Sequence, residues 1–326
     1  MSAEPSPPRR WFDWRVVPLA GVTALVIWLL IGKVAGAEAV FRAFESSRWQ
    51  LIPIAFLLLA AVLGIGTLRW RLILSAMGHD LSFWRCLSAI LAAWPLALII
   101  PARAGDVLRS LAIRDRMPVL EGMGSVIAER FIDVHSLCLL AVVGTSIHGF
   151  HEWTMLVAAL LVAQWSLLLL LVKKREVALA LPVIRRVRDK LERLLLALDA
   201  LAAHPRKLLL TVGASLTAWT LTTGIVQTLL VAAGAMVPFS KTLGLWPIAI
   251  FAGMLPVTVA GMGTRDAAFV YALRTTDPAI RDESVLVATL GYSVVMTVTI
   301  AAIGIPFALS LARGFRRSGT TGAEHG

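Results

Sequence analysis

Cysteine is nearly absent. Cys86 and Cys138 are the only two in 326 residues, and both sit in apolar context. Two such residues make neither a disulfide framework nor a zinc site, so redox and thiolate–metal chemistry are not expected. Charge is also scarce, with Asp, Glu, Lys and Arg at 16%. No Walker loop, Ser-His-Asp set or zinc-binding pattern occurs at useful spacing. No cofactor or metal is therefore expected, and any transport would be passive, ion-coupled or driven by a partner. What is abundant is apolar surface: 58% of residues are hydrophobic and the mean hydropathy is +0.80. A water-soluble core of this length has no room for that much apolar area, so an all-α polytopic membrane protein is expected. The net charge of +11 then speaks for loop orientation and anionic lipid, not for nucleic acid.

Six stretches approach the roughly 20 residues a crossing helix needs: 16–35, 51–68, 125–147, 155–172, 208–233 and 285–311. The first follows Arg9, Arg10 and Arg15, and AGAEA (35–39) resembles a signal-peptidase site. Trp11 and Trp14 form an aromatic belt before it and Lys33 crowds the cut, so a retained span is expected. Two other stretches, 88–100 and 245–259, are short and contain Pro95, and Pro247 with Gly253 and Pro256, respectively. Such interrupted lengths suit re-entrant or broken helices.

The distribution of lysine and arginine supports that assignment. If 88–100 crossed fully, the ten basic residues of 173–207 would face outward, against the positive-inside rule. If both short stretches return to the side they came from, the excess of basic residues, including loop 69–85, falls on the inner side. Both termini are then cytoplasmic, in a bacterial inner membrane. The expected organisation is a tail at 1–15, one transmembrane domain at 16–313 with an amphipathic connector at 173–207, and a tail at 314–326. The hairpin tips repeat loosely, PARAGDVLRS (101–110) against PVTVAGMGTRD (256–266), and they open from opposite sides. Opposed discontinuous helices mark inverted-repeat transporters. In the connector, Val187, Leu191, Leu194, Leu198 and Leu201 line one helical face opposite a basic one. That pattern fits an in-plane helix on the inner leaflet, and equally a helix packed on the bundle or a partner.

Three groups of charges stand near apolar runs. Arg103, Asp106 and Arg109 surround Gly105 after the first short stretch. In SVIAERFIDVHS (125–136), Glu129 and Asp133 share a helix face, with Arg130 and His135 beside them. A helix starting after Pro118 would carry Glu129 about 15 Å inward, where an unpaired charge costs several kcal/mol and points to function. In AGMGTRDAAF (260–269), Gly261 and Gly263 would let backbone N–H groups approach an anion, with the planar donor fork of Arg265 beside Asp266.

Taken in order, RWRLILSAMGHDLSFWRC, PARAGDVLRS, SVIAERFIDVHS and GMLPVTVAGMGTRDAAF resemble the lysylphosphatidylglycerol synthase transmembrane (flippase-like) family, from about Val16 to about Arg313. The resemblance implies movement of lipid or lipid-linked headgroups between leaflets. It also assigns Gly105, Asp106 and Arg109 to a post-proline motif, Glu129, Arg130 and Asp133 to an intramembrane charged motif, and Gly263, Arg265 and Asp266 to a second glycine motif. The family commonly has glutamate where this chain has Asp106 and Asp266. The sequence ends at Gly326 without a soluble aminoacyl-transferring unit, so synthase activity is not expected.

The function expected from these features is a flippase for an anionic phospholipid or a polyprenyl-phosphate-linked saccharide. Arg103, Arg109 and Arg265 would bind the phosphate. Asp106, Glu129, Asp133 and Asp266 would hold those arginines or carry a coupling proton. The alternatives are a non-transporting membrane subunit that partners a synthase or glycosyltransferase, and a membrane-embedded transferase with Asp106 or Glu129 as general base.

Overall fold

Inside lipid an apolar run finds no water for its amides and must close its hydrogen bonds within itself, and the described chain is accordingly helical. A computed structural model describes residues 16–99, 108–173, 188–255 and 257–321. Helix α1 (Val16–Leu29) continues through a π-helical turn (Leu30–Ala35) and is followed by α2 (Ala37–Glu45), α3 (Ile52–Ala76) and α4 (Phe83–Ile99). Next come α5 (Arg109–Ala112), α6 (Val119–Ile147), α7 (His151–Lys173) and α8 (Arg188–Ala202). The second half holds α9 (Pro205–Ala232), α10 (Phe239–Met254), α11 (Thr264–Thr276), α12 (Asp282–Tyr292) and α13 (Thr299–Thr321).

Among the described residues, four helical stretches are long and apolar enough to cross a bilayer: Trp49–Ala76, His151–Lys173, Pro205–Ala232 and Asp282–Arg313. The pair Ala20–Ala35 and Ala37–Glu45, bent by 89°, makes a fifth if it is taken as one span. The remaining expected crossing, 125–147, lies within α6. That helix has the length, at 29 residues, but carries Glu129, Arg130 and Asp133.

Helices α3 and α9 pack along each other and run antiparallel. The Arg48 N–H ahead of α3 donates to Ala232 O at the end of α9 (2.8 Å), and Lys207 Nζ at the start of α9 donates to Ser75 O at the end of α3 (2.8 Å). The short helices α4 and α10 follow α3 and α9, so they enter the bundle from opposite ends. At 17 and 16 residues each extends only about 25 Å, short of a ~30 Å hydrocarbon core. Both return to the end they came from. Arg85 near the start of α4 bonds Ala112 O (3.1 Å) at the end of α5 and Asp115 Oδ1 (2.6 Å) just beyond it, and Lys241 at the start of α10 bonds Asp277 Oδ2 (3.0 Å) at the end of α11.

Each half-helix then packs on a long helix of the other half: α4 on α13, and α10 on α6. Glycine makes both contacts close. A Cβ on Gly144 of α6 would lie 2.3 Å from Gly244 N of α10, and one on Gly304 of α13 would lie 2.3 Å from Leu91 O of α4. Leu91 is four residues before Pro95, so its carbonyl lacks a helical amide partner and stays open to this approach. Each half-helix contains a Trp-Pro dipeptide, 94–95 in α4 and 246–247 in α10.

The ion pair closing the second hairpin has a pH consequence. The hydrogen bond from Lys241 holds the Asp277 carboxyl below its ordinary value. A carboxyl depressed in the folded state contributes stability that is present above its unfolded pKa, about 3.9, and is lost as pH falls through the folded value. Asp277→Asn is therefore expected to flatten the acid limb of the stability curve, measured as unfolding midpoint against pH, and to leave the difference from wild type constant above about pH 5.

One expectation changes, and one open alternative is decided. Loop 69–85 was to begin after a span ending at Leu68, but α3 runs on to Ala76 and buries Arg69 at 6% exposure. The charge stays inside because two carboxylates of α6 receive it. The connector helix settles on the bundle: Leu195, Ala197 and Leu201 of α8 are buried, and it packs against α6, α3 and α9. At Gly124 a Cβ would stand 2.7 Å from Arg193 O, so only glycine admits this approach. Leu191, Leu194 and Leu198 are half-buried, and Val187 lies outside the described residues.

Candidate functional site

The α6 charges sit where three other helices meet them. Glu129 and Asp133, one turn apart, point to the same side, and Arg69 of α3 lies between them. Arg69 Nε and Nη2 both bond Glu129 Oε1, while its Nη1 and Nη2 bond the two oxygens of Asp133. Arg109 of α5 pairs with the other Glu129 oxygen, Oε2, and its guanidinium carbon lies 4.4 Å from the centre of the Trp70 ring. Trp70 is held in turn by its Nε1–H to Ser125 Oγ (3.0 Å). From α9, Ser215 Oγ accepts from Arg69 (3.1 Å) and donates to Asp133 Oδ1 (3.0 Å), and Trp219 Nε1 donates to the same oxygen (2.8 Å). Arg130 Nη1 reaches Asp133 Oδ2 at 3.1 Å.

Burial grades the cluster from inside to outside. Side chains of Glu129 and Asp133 are 2% and 1% exposed, Arg69 and Arg109 are 7% and 5%, and Arg130 is 35%. Three guanidinium groups meet the two carboxylates, and both oxygens of each acid are engaged. Arg109 Nε, buried, has no acceptor among the described residues. A buried donor without a partner costs about 1–3 kcal/mol, and an arginine-lined site with a spare donor is suited to an anion with several acceptor oxygens.

The second glycine motif is built differently. Gly261 (φ +74°) lies against Gly253, where a Cβ would come within 2.5 Å of Gly253 O. Gly263 (φ +93°) lies under α1, where a Cβ would meet Val26 Cγ1 at 2.8 Å. Thr23 of α1 accepts from Val259 N–H at 2.8 Å. The two glycines thus serve close packing, and Ala260 between them takes a left-handed conformation (φ 52°). Asp266 Oδ2 accepts from Gly263 N–H (2.9 Å), a carboxylate at the third position of α11 capping its first turn. Its Oδ1 accepts from Arg265 (3.0 Å), which also donates to Ser293 Oγ (2.6 Å). The Arg265 guanidinium carbon stands 4.7 Å from the Tyr292 ring centre and 5.4 Å from that of Trp246. Ser293 opens a π-helical turn, Ser293–Val298, a widening that re-aims side chains at many functional sites.

The structure therefore brings Arg109, Glu129, Arg130 and Asp133 into one network and holds Gly261, Gly263, Arg265 and Asp266 in another. Arg103, Gly105 and Asp106 lie outside the described residues. Sequence reasoning missed Arg69, Ser215 and Trp219. Arg69 was hidden as the expected first residue of a basic loop, although LILSA after it continues the apolar run. Ser215 carried no signal in a helix already rich in threonine. Among the described residues no group of three or more His, Cys, Asp or Glu could hold a metal ion.

A model of the family described as lysylphosphatidylglycerol synthase TM region matches residues 16–304. Among curated relatives, a UPF0104 membrane protein of Methanothermobacter thermautotrophicus is 29% identical over 185 residues, which are 53% of this chain and 53% of the relative. A UPF0104 membrane protein of Archaeoglobus fulgidus is 27% identical over 114 residues, 34% of this chain and 35% of the relative. The matches thus span about half, and about a third, of these relatives' length.

Proposed function

Because the chain belongs to the lysylphosphatidylglycerol synthase TM region family, we propose that it moves a phosphate-bearing lipid headgroup between leaflets. The observation that carries this reading is the network of Arg69, Arg109, Glu129, Arg130 and Asp133, in which the buried Arg109 Nε has no acceptor among the described residues. A phosphate cannot enter hydrocarbon unpaired. Here the carboxylates keep the arginines in place, and Arg130, the most exposed, meets the headgroup first. The network joins the two halves of the chain, because Ser215 and Trp219 come from α9. A relative movement of the halves would therefore act on it directly. Arg265 and Asp266 form the corresponding station on the other hairpin, and Arg103 and Asp106 precede Arg109 by six and three residues in the sequence. The substrate class is an anionic phospholipid or a polyprenyl-phosphate-linked saccharide. The end carrying α8 faces the cytoplasm of a bacterial inner membrane, in keeping with its basic residues.

The test is leaflet exchange in liposomes with a fluorescent anionic phospholipid or a labelled polyprenyl phosphate. Wild-type protein is expected to accelerate exchange. Arg109→Gln should reduce the rate about tenfold or more, the worth of one charge-assisted hydrogen bond of ~1.5–3 kcal/mol. Glu129 keeps Arg69 in that variant, so folding should survive. If folded wild-type protein accelerates no anionic lipid, the flippase reading fails and the network is a structural ion cluster in a non-transporting subunit.

A further inference from the structure

Nothing in the proposed transport uses α2, the nine-residue helix AEAVFRAFE between α1 and α3. Its place is set covalently. One residue, Gly36 (φ +80°), separates it from the apolar α1 segment, with a bend of 89°, and six residues separate it from the membrane-long α3. A helix tied this closely to two apolar helices and turned across the first lies at the boundary between hydrocarbon and water.

Its residues divide into three stripes. Ala43 is buried, and this side packs toward α12. Glu38 and Arg42 form a second stripe, with side chains 85% and 70% exposed. The third stripe is apolar and uncovered: Phe41 is 61% exposed and Phe44 52%, and the Phe44 ring touches Trp49 with centroids 4.6 Å apart. Two phenylalanines one turn apart, backed by a tryptophan, are what an interfacial helix places at the acyl–headgroup boundary. Charges along the segment balance, Glu38 and Glu45 against Arg42 and Arg48, so apolar burial and not attraction to anionic lipid provides the hold.

We infer that α2 lies in the plane of the membrane surface, at the end of the bundle opposite α8, with Phe41, Phe44 and Trp49 inserted among the lipids. The anchor has a mechanical consequence. Beyond the Gly36 bend, α1 supplies Thr23 and Val26 to the turn before α11, so the bilayer surface fixes the height at which α1 bears on the second hairpin.

Spin labels on the full chain in lipid nanodiscs test this. Cys86 and Cys138 are buried, which leaves labelling to an introduced cysteine. Labels at Phe41→Cys and Phe44→Cys are expected to be accessible to oxygen and shielded from a water-soluble nickel chelate. Their oxygen-to-nickel ratio should be several-fold above that of Glu38→Cys. Ala37→Cys, on the edge of the apolar stripe, replaces either phenylalanine variant if one fails to fold. Nickel accessibility at 41 and 44 equal to that at 38 would place the helix in water. Immobilised labels closed to both reagents would mean that protein covers the face. Either result overturns the inference.

Discussion

Arg69→Ala is expected to lower stability by about 3–5 kcal/mol, the loss seen when one partner of a buried ion pair is removed. Arg69 contacts both buried carboxylates and Ser215, and its side chain is only 7% exposed. Without it, Glu129 keeps Arg109, and Asp133 keeps Arg130, Ser215 and Trp219. The two acids, which shared one guanidinium, are then left facing each other across an empty space. Arg69→Lys should recover only part of the loss, because an ammonium cannot replace a planar fork that serves two carboxylates. Thermal unfolding in detergent reads both variants. An Arg69→Ala midpoint indistinguishable from wild type would mean that water already solvates the network.

Gly144→Ala should be comparably damaging, at about 3 kcal/mol or more. The new methyl would lie 2.3 Å from Gly244 N, 2.5 Å from Gly244 Cα and 2.7 Å from Ser240 O. These are backbone atoms of a packed helix, so no rotamer change can make room. Helices α6 and α10 would have to part, and α6 carries Glu129 and Asp133. Gly213→Ala is the control: a Cβ there meets nothing within 4 Å, and a helical Gly→Ala exchange should stabilise by ~0.5–1 kcal/mol. Equal unfolding midpoints for the two variants would show that the α6–α10 approach is looser than the geometry requires.

Much of the site was legible where charge breaks an apolar pattern. Glu129, Arg130 and Asp133 stand out because an 18-residue apolar window has no reason to hold them. The helix start after Pro118 and the turn spacing of the two acids could be read directly. Arg69 could not, since an arginine at the end of an apolar run looks the same whether it meets water or a carboxylate sixty residues away. The GMGTRD motif shows the converse. Its glycines were legible as tight backbone, but whether an anion or the chain itself fills the space depends on Val26 and Gly253.

The sequence by itself determined the solvent, the helical class and the two interrupted segments. Those follow from local quantities: hydropathy, helix length, and prolines that remove amide donors. The lysine and arginine distribution already implied that both short segments return, and only the tertiary structure supplied the pairs that close them, Arg85–Asp115 and Lys241–Asp277. It alone joined Arg69, Arg109, Glu129, Asp133 and Ser215, and laid α8 on the bundle. Those outcomes are pairings between residues far apart in the chain, and the energy of a buried charge is set by its partner, which no local pattern names.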